Sequence, residues 1–201
     1  MIDWFKKTNS LKKVRFLKFD IEEFYPSISP ELLDRALEYA RSITEITNEE
    51  ELILKTCRES LLFNDSKTWV KKSEKNFDVT MGSLDGAEVA ELIGVYLLNK
   101  IKEIIPIEHM GLYRDDGLAL DINTNGQKLD RIRKQLHSLF KKEGLKITVE
   151  LFQQSVDILD VFLDHKNTSY RPHKKPLDNP QYIHIKSNHP PIIKKNCTSN
   201  D

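Results

Sequence analysis

Two adjacent aspartates, Asp115 and Asp116, break an apolar stretch reading GLYRDDGLAL over 111–120. The flanking segments, 110–113 and 118–122, read as strands, and an acidic tip followed by Gly117 is a hairpin-turn pattern. Side-by-side carboxylates repel each other unless a positive charge stands beside them. Mg²⁺ answers that need, because it takes oxygen ligands and commonly uses only one or two protein carboxylates. An ordinary solvated Asp-Gly turn would satisfy the decapeptide equally well, so the rest of the chain has to decide.

The segment 14–28, VRFLKFDIEEFYPSI, supplies a partner. Val14, Phe16, Leu17 and Phe19 form a β-rich run that ends at Asp20, and Pro26 stops the strand and prepares a helix. A carboxylate at the end of a buried strand is unfavourable unless it is ionised and paired with a cation or with hydrogen-bond donors. Beside Asp115 and Asp116 it would complete a three-carboxylate site for two Mg²⁺ ions. Two metals roughly 3.5–4 Å apart clamp the attacking and leaving oxygens of an in-line phosphoryl transfer.

FDIEEFYPSI over 19–28, followed by YRDDG over 113–117, resembles motifs A and C of reverse transcriptase palms. VTMGSLDGAE over 79–88 occupies the place of motif B, a glycine-containing turn that opens a long helix. ILDVFLD over 158–164, then Tyr170-Arg171-Pro172, Tyr182-Ile183-His184 and Ser187-Asn188-His189-Pro190, is similar to the corresponding region of Penelope-like retroelement polymerases. The resemblance runs over 14–195. It departs from the family in motif B, where Met81-Gly82 stands in place of Gln-Gly and Asp85-Gly86 where Ser-Pro is common. Arg114 fills a place usually held by a small or apolar residue, and the motif D lysine has no clear counterpart, with Lys146 nearby.

The resemblance implies an α+β fold of the reverse-transcriptase palm type, an antiparallel sheet with helices packed on one face. It implies RNA-directed DNA polymerase activity: nucleotidyl transfer from deoxynucleoside triphosphates to a primer 3′-hydroxyl on an RNA or DNA template, with two Mg²⁺ or Mn²⁺ ions. Asp20, Asp115 and Asp116 are the expected catalytic carboxylates. Asp20 and Asp115 would be direct metal ligands, Ile21 would add its backbone carbonyl, and Asp116 would tune the charge or touch metal intermittently. Tyr25 falls where an aromatic excludes the ribose 2′-hydroxyl, against a plain core tyrosine as the other reading. Gly82 would let backbone approach the template nucleotide. Arg114 either offsets the aspartates or touches primer phosphate. Tyr170 and Arg171 fall where the primer is gripped, and Lys174 and Lys175 continue a basic flank toward nucleic acid.

Composition bounds these expectations. With 201 residues, 39% hydrophobic and 31% charged, the chain suits one domain with a sizeable core. The apolar stretch 92–98 is far below the roughly 18 residues of a membrane span, and the start lacks a signal-peptide core. Only Cys57 and Cys197 occur, against a disulfide framework or cysteine zinc site, and an intracellular setting is expected. The 31 basic and 31 acidic residues balance overall, but basic residues crowd both ends while acidic ones gather over 20–59, as suits basic flanks on phosphates.

Helical patterns run from Pro30, capped by Ser29; from a Thr47–Glu50 capping box to about 62; from Asp85 to about 104; and over 126–143 with Gly144 behind. A hairpin of 68–71 with 76–80 is expected, with strands over 145–151 and 156–162. The expected division is a palm with partial fingers over 1–165 and a basic, loop-rich tail over 166–201 leading to a thumb outside this sequence. Such a piece would extend primers weakly. Two other readings stay open: a domesticated palm that binds nucleic acid or a partner without catalysis, and a DNA-templated DNA polymerase, which would carry a Lys-rich motif B helix and an Asp-Thr-Asp motif C.

Overall fold

The structure is a computed structural model that describes residues 2–8, 14–59, 61–70, 77–122 and 125–173. Its centre is a four-stranded antiparallel sheet. β1 (Val14–Ile21) lies between β5 (Asp116–Ile122) and β6 (Ile147–Gln153), and β4 (Met110–Tyr113) adds to the outer edge of β5. β1 and β5 are the two central strands, each paired on both sides.

Alternation along β1 splits the sheet into two chemically different faces. Leu17, Phe19 and Ile21 point to the larger core, together with Ala119 of β5 and Ile147 of β6. Helices cover that face: α2 (Phe24–Ser27), α3 (Pro30–Arg41), α5 (Gly86–Ile101) and α6 (Gly126–Lys142) supply Tyr25, Leu33, Ile93, Leu97, Leu136 and Phe140. Val14 and Phe16 point the other way, with Leu118 and Leu120, against Phe5 of α1 (Ile2–Thr8) and a second sheet. That sheet is β7 (Ser155–Ile158), β8 (Val161–Asp164) and β9 (Ser169–Pro172), which contributes Val156, Ile158 and Leu163. The fold is therefore α+β with antiparallel sheets. Helices α2, α3, α5 and α6 share one face, and the opposite face is covered only over its apolar end.

The helix starts follow their caps. Ser29 Oγ accepts from the Leu32 N–H at 3.2 Å with proline at the first helical position, and Thr47 with Glu50 closes a full capping box on α4 (Asn48–Thr56). Asn125 Oδ1 accepts from the Lys128 N–H at 2.9 Å to open α6. Gly144, at φ +80°, ends it in the left-handed region where glycine is unstrained. One clamp ties these helices together: Glu143, just past α6, accepts from Arg35 Nε of α3 at 2.8 Å and from the Tyr96 hydroxyl of α5 at 3.1 Å.

Four expectations are corrected. Helix α4 stops at Thr56 rather than about 62, because Leu61 and Leu62 belong to β2 (Leu61–Asn64). β2 pairs with β3 (Lys67–Val70) through a turn at Asp65 and Ser66, both at positive φ, so the hairpin lies upstream of the expected one. The expected strand over 156–162 is two strands, folded back at Leu159 and Asp160 (φ +47° and +60°). The ordered fold continues past 165, because β9 pairs with β8. No helix among the described residues is long and apolar enough to cross a membrane.

Candidate functional site

The register of β1 with β5 sets Asp20 directly opposite Asp116. Cross-strand partners carry their Cβ atoms roughly 4.5–5.5 Å apart on one face of a sheet. By alternation that face is the one shared by Phe16, Lys18 and Leu118, beyond the part covered by α1 and the second sheet. Asp115 joins them from the β4–β5 turn. Its side chain is exposed, and its carbonyl accepts from the Ile21 N–H at 3.0 Å, which ties the turn to the end of β1. Strand register and the turn thus bring three acidic residues from two distant segments to one end of the sheet.

The turn differs from the expected acidic tip. Arg114 and Asp115 form it, whereas Asp116 is already in β5 and pairs with Tyr113. The left-handed position is Arg114 (φ +55°), not Gly117, which sits within the strand opposite Phe19. Arg114 does not spread over the aspartates: its guanidinium lies 5.2 Å from the Tyr113 ring centroid, and its Nε is buried without a hydrogen-bond partner.

The electrostatics fit a crowded acidic site. Asp20 is pushed above the ordinary carboxylate range by burial, then by the charges of Asp115 and Asp116, against a smaller opposing pull from Lys18. Asp116 is also raised, by burial first, and Lys18 is the charge that works against that shift. Raised carboxylate pKa values mean that the folded protein resists carrying this much negative charge by itself. Hard oxygen donors with excess charge, at an open sheet end, match what Mg²⁺ or Mn²⁺ binds. Among the described residues no three His, Cys, Asp or Glu side chains are gathered into a ready-made ligand shell.

The turn before α5 is tightly built. Gly82 has φ +90° with open space where a side chain would point. At Gly86 a Cβ would lie 2.5 Å from Ser83 Oγ and 2.6 Å from the Thr80 carbonyl oxygen, so only glycine fits. Asp85 does not cap α5 with its side chain as expected. It forms an ion pair with Arg58, which is buried and receives the Asp78 N–H on its carbonyl at 2.8 Å. Asp85 and Gly86 are thus each fixed by a local contact of this turn. Met81 and Leu84 stand out into solvent.

Tyr25 lies in α2 with its ring in the larger core, edge-on to Phe24 at 5.9 Å between centroids. The structure therefore supplies the packing of a core tyrosine, five residues beyond Asp20. Tyr170 and Arg171 are exposed on β9, with Lys6 5.7 Å from the Tyr170 ring and Arg171 4.6 Å from the Phe162 ring. Lys174 and Lys175 lie outside the described residues. Lys146 forms an ion pair with Glu22, whose N–H donates to the Lys146 carbonyl at 2.9 Å, so this lysine is anchored beside the end of β1. The Glu22 hydrogen bond raises the Lys146 pKa.

Sequence reasoning passed over two residues, Lys18 and Arg58. Lys18 carried a visible signal, a cation at the same parity as Phe16 and Asp20 in a largely apolar strand. Arg58 carried none, because its burial depends on the turn that folds over it. No protein-family model matches this chain, and a search of curated proteins finds no match.

Proposed function

We propose that this chain is the palm of a reverse-transcriptase-like, RNA-directed DNA polymerase that transfers nucleotides to a primer 3′-hydroxyl with Mg²⁺ or Mn²⁺. The observation that carries the reading is the register of Asp20 opposite Asp116, with Asp115 on the adjoining turn and helices on the reverse of the sheet. The strand pairing supports the juxtaposition that the resemblance of motifs A and C implies.

Asp20, Asp115 and Asp116 would hold the divalent ions, with the Ile21 carbonyl as a further donor on the strength of the resemblance. When bound, such ions activate the primer hydroxyl and neutralise the triphosphate. The carboxylates supply fixed charge and position, so no protein nucleophile is required. The primer oxygen forms a bond to the α-phosphorus, the bond to pyrophosphate breaks, and the hydroxyl proton leaves to solvent. Gly82, free of a side chain at an exposed turn, suits close approach of nucleic acid to backbone. Tyr25, held by the core, would present a fixed edge to the sugar. Exposed Tyr170 and Arg171 suit contact with the primer strand through stacking and phosphate pairing.

The test pairs binding with chemistry. Mn²⁺ binding followed by electron paramagnetic resonance should be lost in Asp20→Asn and Asp115→Asn, while circular dichroism stays that of the parent. Primer extension on RNA and DNA templates of equal sequence, with Mg²⁺ or Mn²⁺, should depend on the same two aspartates. Nucleic-acid binding with neither metal binding nor extension would instead favour the non-catalytic reading.

A further inference from the structure

We propose that Lys18 is the resident counter-cation of the acidic cluster, a positioning residue that sets how tightly the three carboxylates take up a hard divalent ion. The inference rests on the metal-site reading given above and concerns a residue that this reading does not use.

Lys18 lies two residues before Asp20 in β1, opposite Leu118 of β5 and Glu150 of β6. Strand alternation puts it on the same face as Asp20, and two residues of strand separate the two positions by roughly 7 Å. A lysine on a half-covered sheet face ordinarily extends its ammonium into water. Here Nζ instead donates to the Asp157 carbonyl oxygen of β7 at 3.0 Å, a contact between residues 139 positions apart. Asp157 is held in turn, its carboxylate 2.6 Å from His173 Nδ1. A register irregularity between β1 and β6 falls just before Lys18, where such shifts redirect side chains. The ammonium is thus tethered rather than swept through solvent.

A tethered cation at that range has two consequences of opposite sign. It stabilises the ionised carboxylates, consistent with the direction of its influence on both Asp20 and Asp116. It also repels an incoming divalent ion, since backbone positions about 7 Å apart on one face lie within the Debye length of about 8–10 Å at ordinary salt. The cluster therefore binds metal less tightly than three bare carboxylates would. That suits a site which must also release product. Glu150, the acidic residue across β6, has interactions of its own and stays in place in all the variants below.

The test is a Mn²⁺ titration of the whole chain at fixed pH and ionic strength, comparing the parent with Lys18→Gln, Lys18→Met and Lys18→Arg. Loss of the charge in Gln and Met should tighten Mn²⁺ binding about threefold to tenfold, from a single charge acting on a doubly charged ion at this distance in water. Lys18→Arg should stay within about twofold of the parent, and the gain in Gln should shrink as salt rises. Lys18→Gln keeps a donor for the Asp157 carbonyl, so it remains informative if Lys18→Met folds poorly. Gln and Met affinities equal to the parent's, in a protein whose Mn²⁺ binding still requires Asp20, would overturn the role of Lys18 and leave the metal site standing. Absence of Asp20-dependent Mn²⁺ binding in the parent would overturn both.

Discussion

A Cβ built on Gly117 would lie 2.1 Å from Cζ of Phe19, its cross-strand partner. The Phe19 ring fills the space that any side chain at 117 would need, and it packs on Phe140 of α6 at 5.7 Å between centroids. The third residue of the Asp-Asp-Gly string is thus a packing glycine. It lets β5 lie close over a phenylalanine that anchors the strand carrying Asp20.

Gly117→Ala should destabilise the protein by roughly 1–3 kcal/mol, the usual range for overfilling a packed core. It should also weaken Mn²⁺ binding by shifting β5 against β1. Chemical denaturation and a Mn²⁺ titration on the same sample check both effects. An unchanged midpoint would mean that the Phe19 ring moves aside freely.

The raised pKa values of Asp20 and Asp116 give a signed pH effect. A carboxyl that binds protons more tightly folded than unfolded lowers stability above its folded pKa. The penalty fades as pH falls toward the ordinary value of 3.8. Asp20→Asn should therefore raise the melting temperature of the metal-free protein at pH 7, and the gain should vanish near pH 4. A gain that grew on acidification would show that the site is not charge-strained.

Glu143 joins three helices, so its removal should exceed a surface change. Glu143→Ala leaves the Tyr96 hydroxyl and the Arg35 guanidinium without their shared acceptor, a loss of roughly 2 kcal/mol. Tyr96→Phe removes one of these bonds and should cost about 1 kcal/mol. Equal effects from the two variants, in urea unfolding, would contradict a shared clamp.

Arg58 and Asp85 should behave as a unit. Asp85→Ser strands a buried guanidinium and should cost roughly 2–3 kcal/mol, below the full value for a buried pair because Asp85 is partly exposed. Adding Arg58→Met should recover part of that loss. Additive losses in the double-mutant cycle would deny the coupling.

Tyr25→Ala should cost about 3 kcal/mol as a core truncation, whereas Tyr25→Phe should be nearly neutral. Sugar selectivity is therefore best tested by single-nucleotide extension with the phenylalanine variant and with leucine, a smaller side chain without a ring. Unchanged discrimination in Tyr25→Leu would leave the residue as packing alone.

The local pieces could be read from short stretches of the chain. Ser29 with Pro30, the Thr47–Glu50 box and Gly144 announce helix ends because capping chemistry lies within four residues of the end it serves. The strand character of 14–20 and 110–113, and the suspicion attached to Asp20, Asp115 and Asp116, were legible for the same reason. Alternation and charge are short-range patterns. The relations between distant segments come from the packing of the folded chain. The register that sets Asp116 against Asp20 depends on pairing between strands about a hundred residues apart. The turn at Arg114–Asp115 follows from that register, because Asp116 is drawn into the ladder by Tyr113 and Asp20. Gly117 looks like a turn glycine until Phe19 lies over it, and Asp85 looks like a helix cap until buried Arg58 claims its carboxylate. Lys18 looks like a misplaced surface lysine until the Asp157 carbonyl, 139 residues away, accepts from its ammonium. In each case a strong long-range partner overrides the weaker local preference, and that partner is chosen by the packing of the whole sheet.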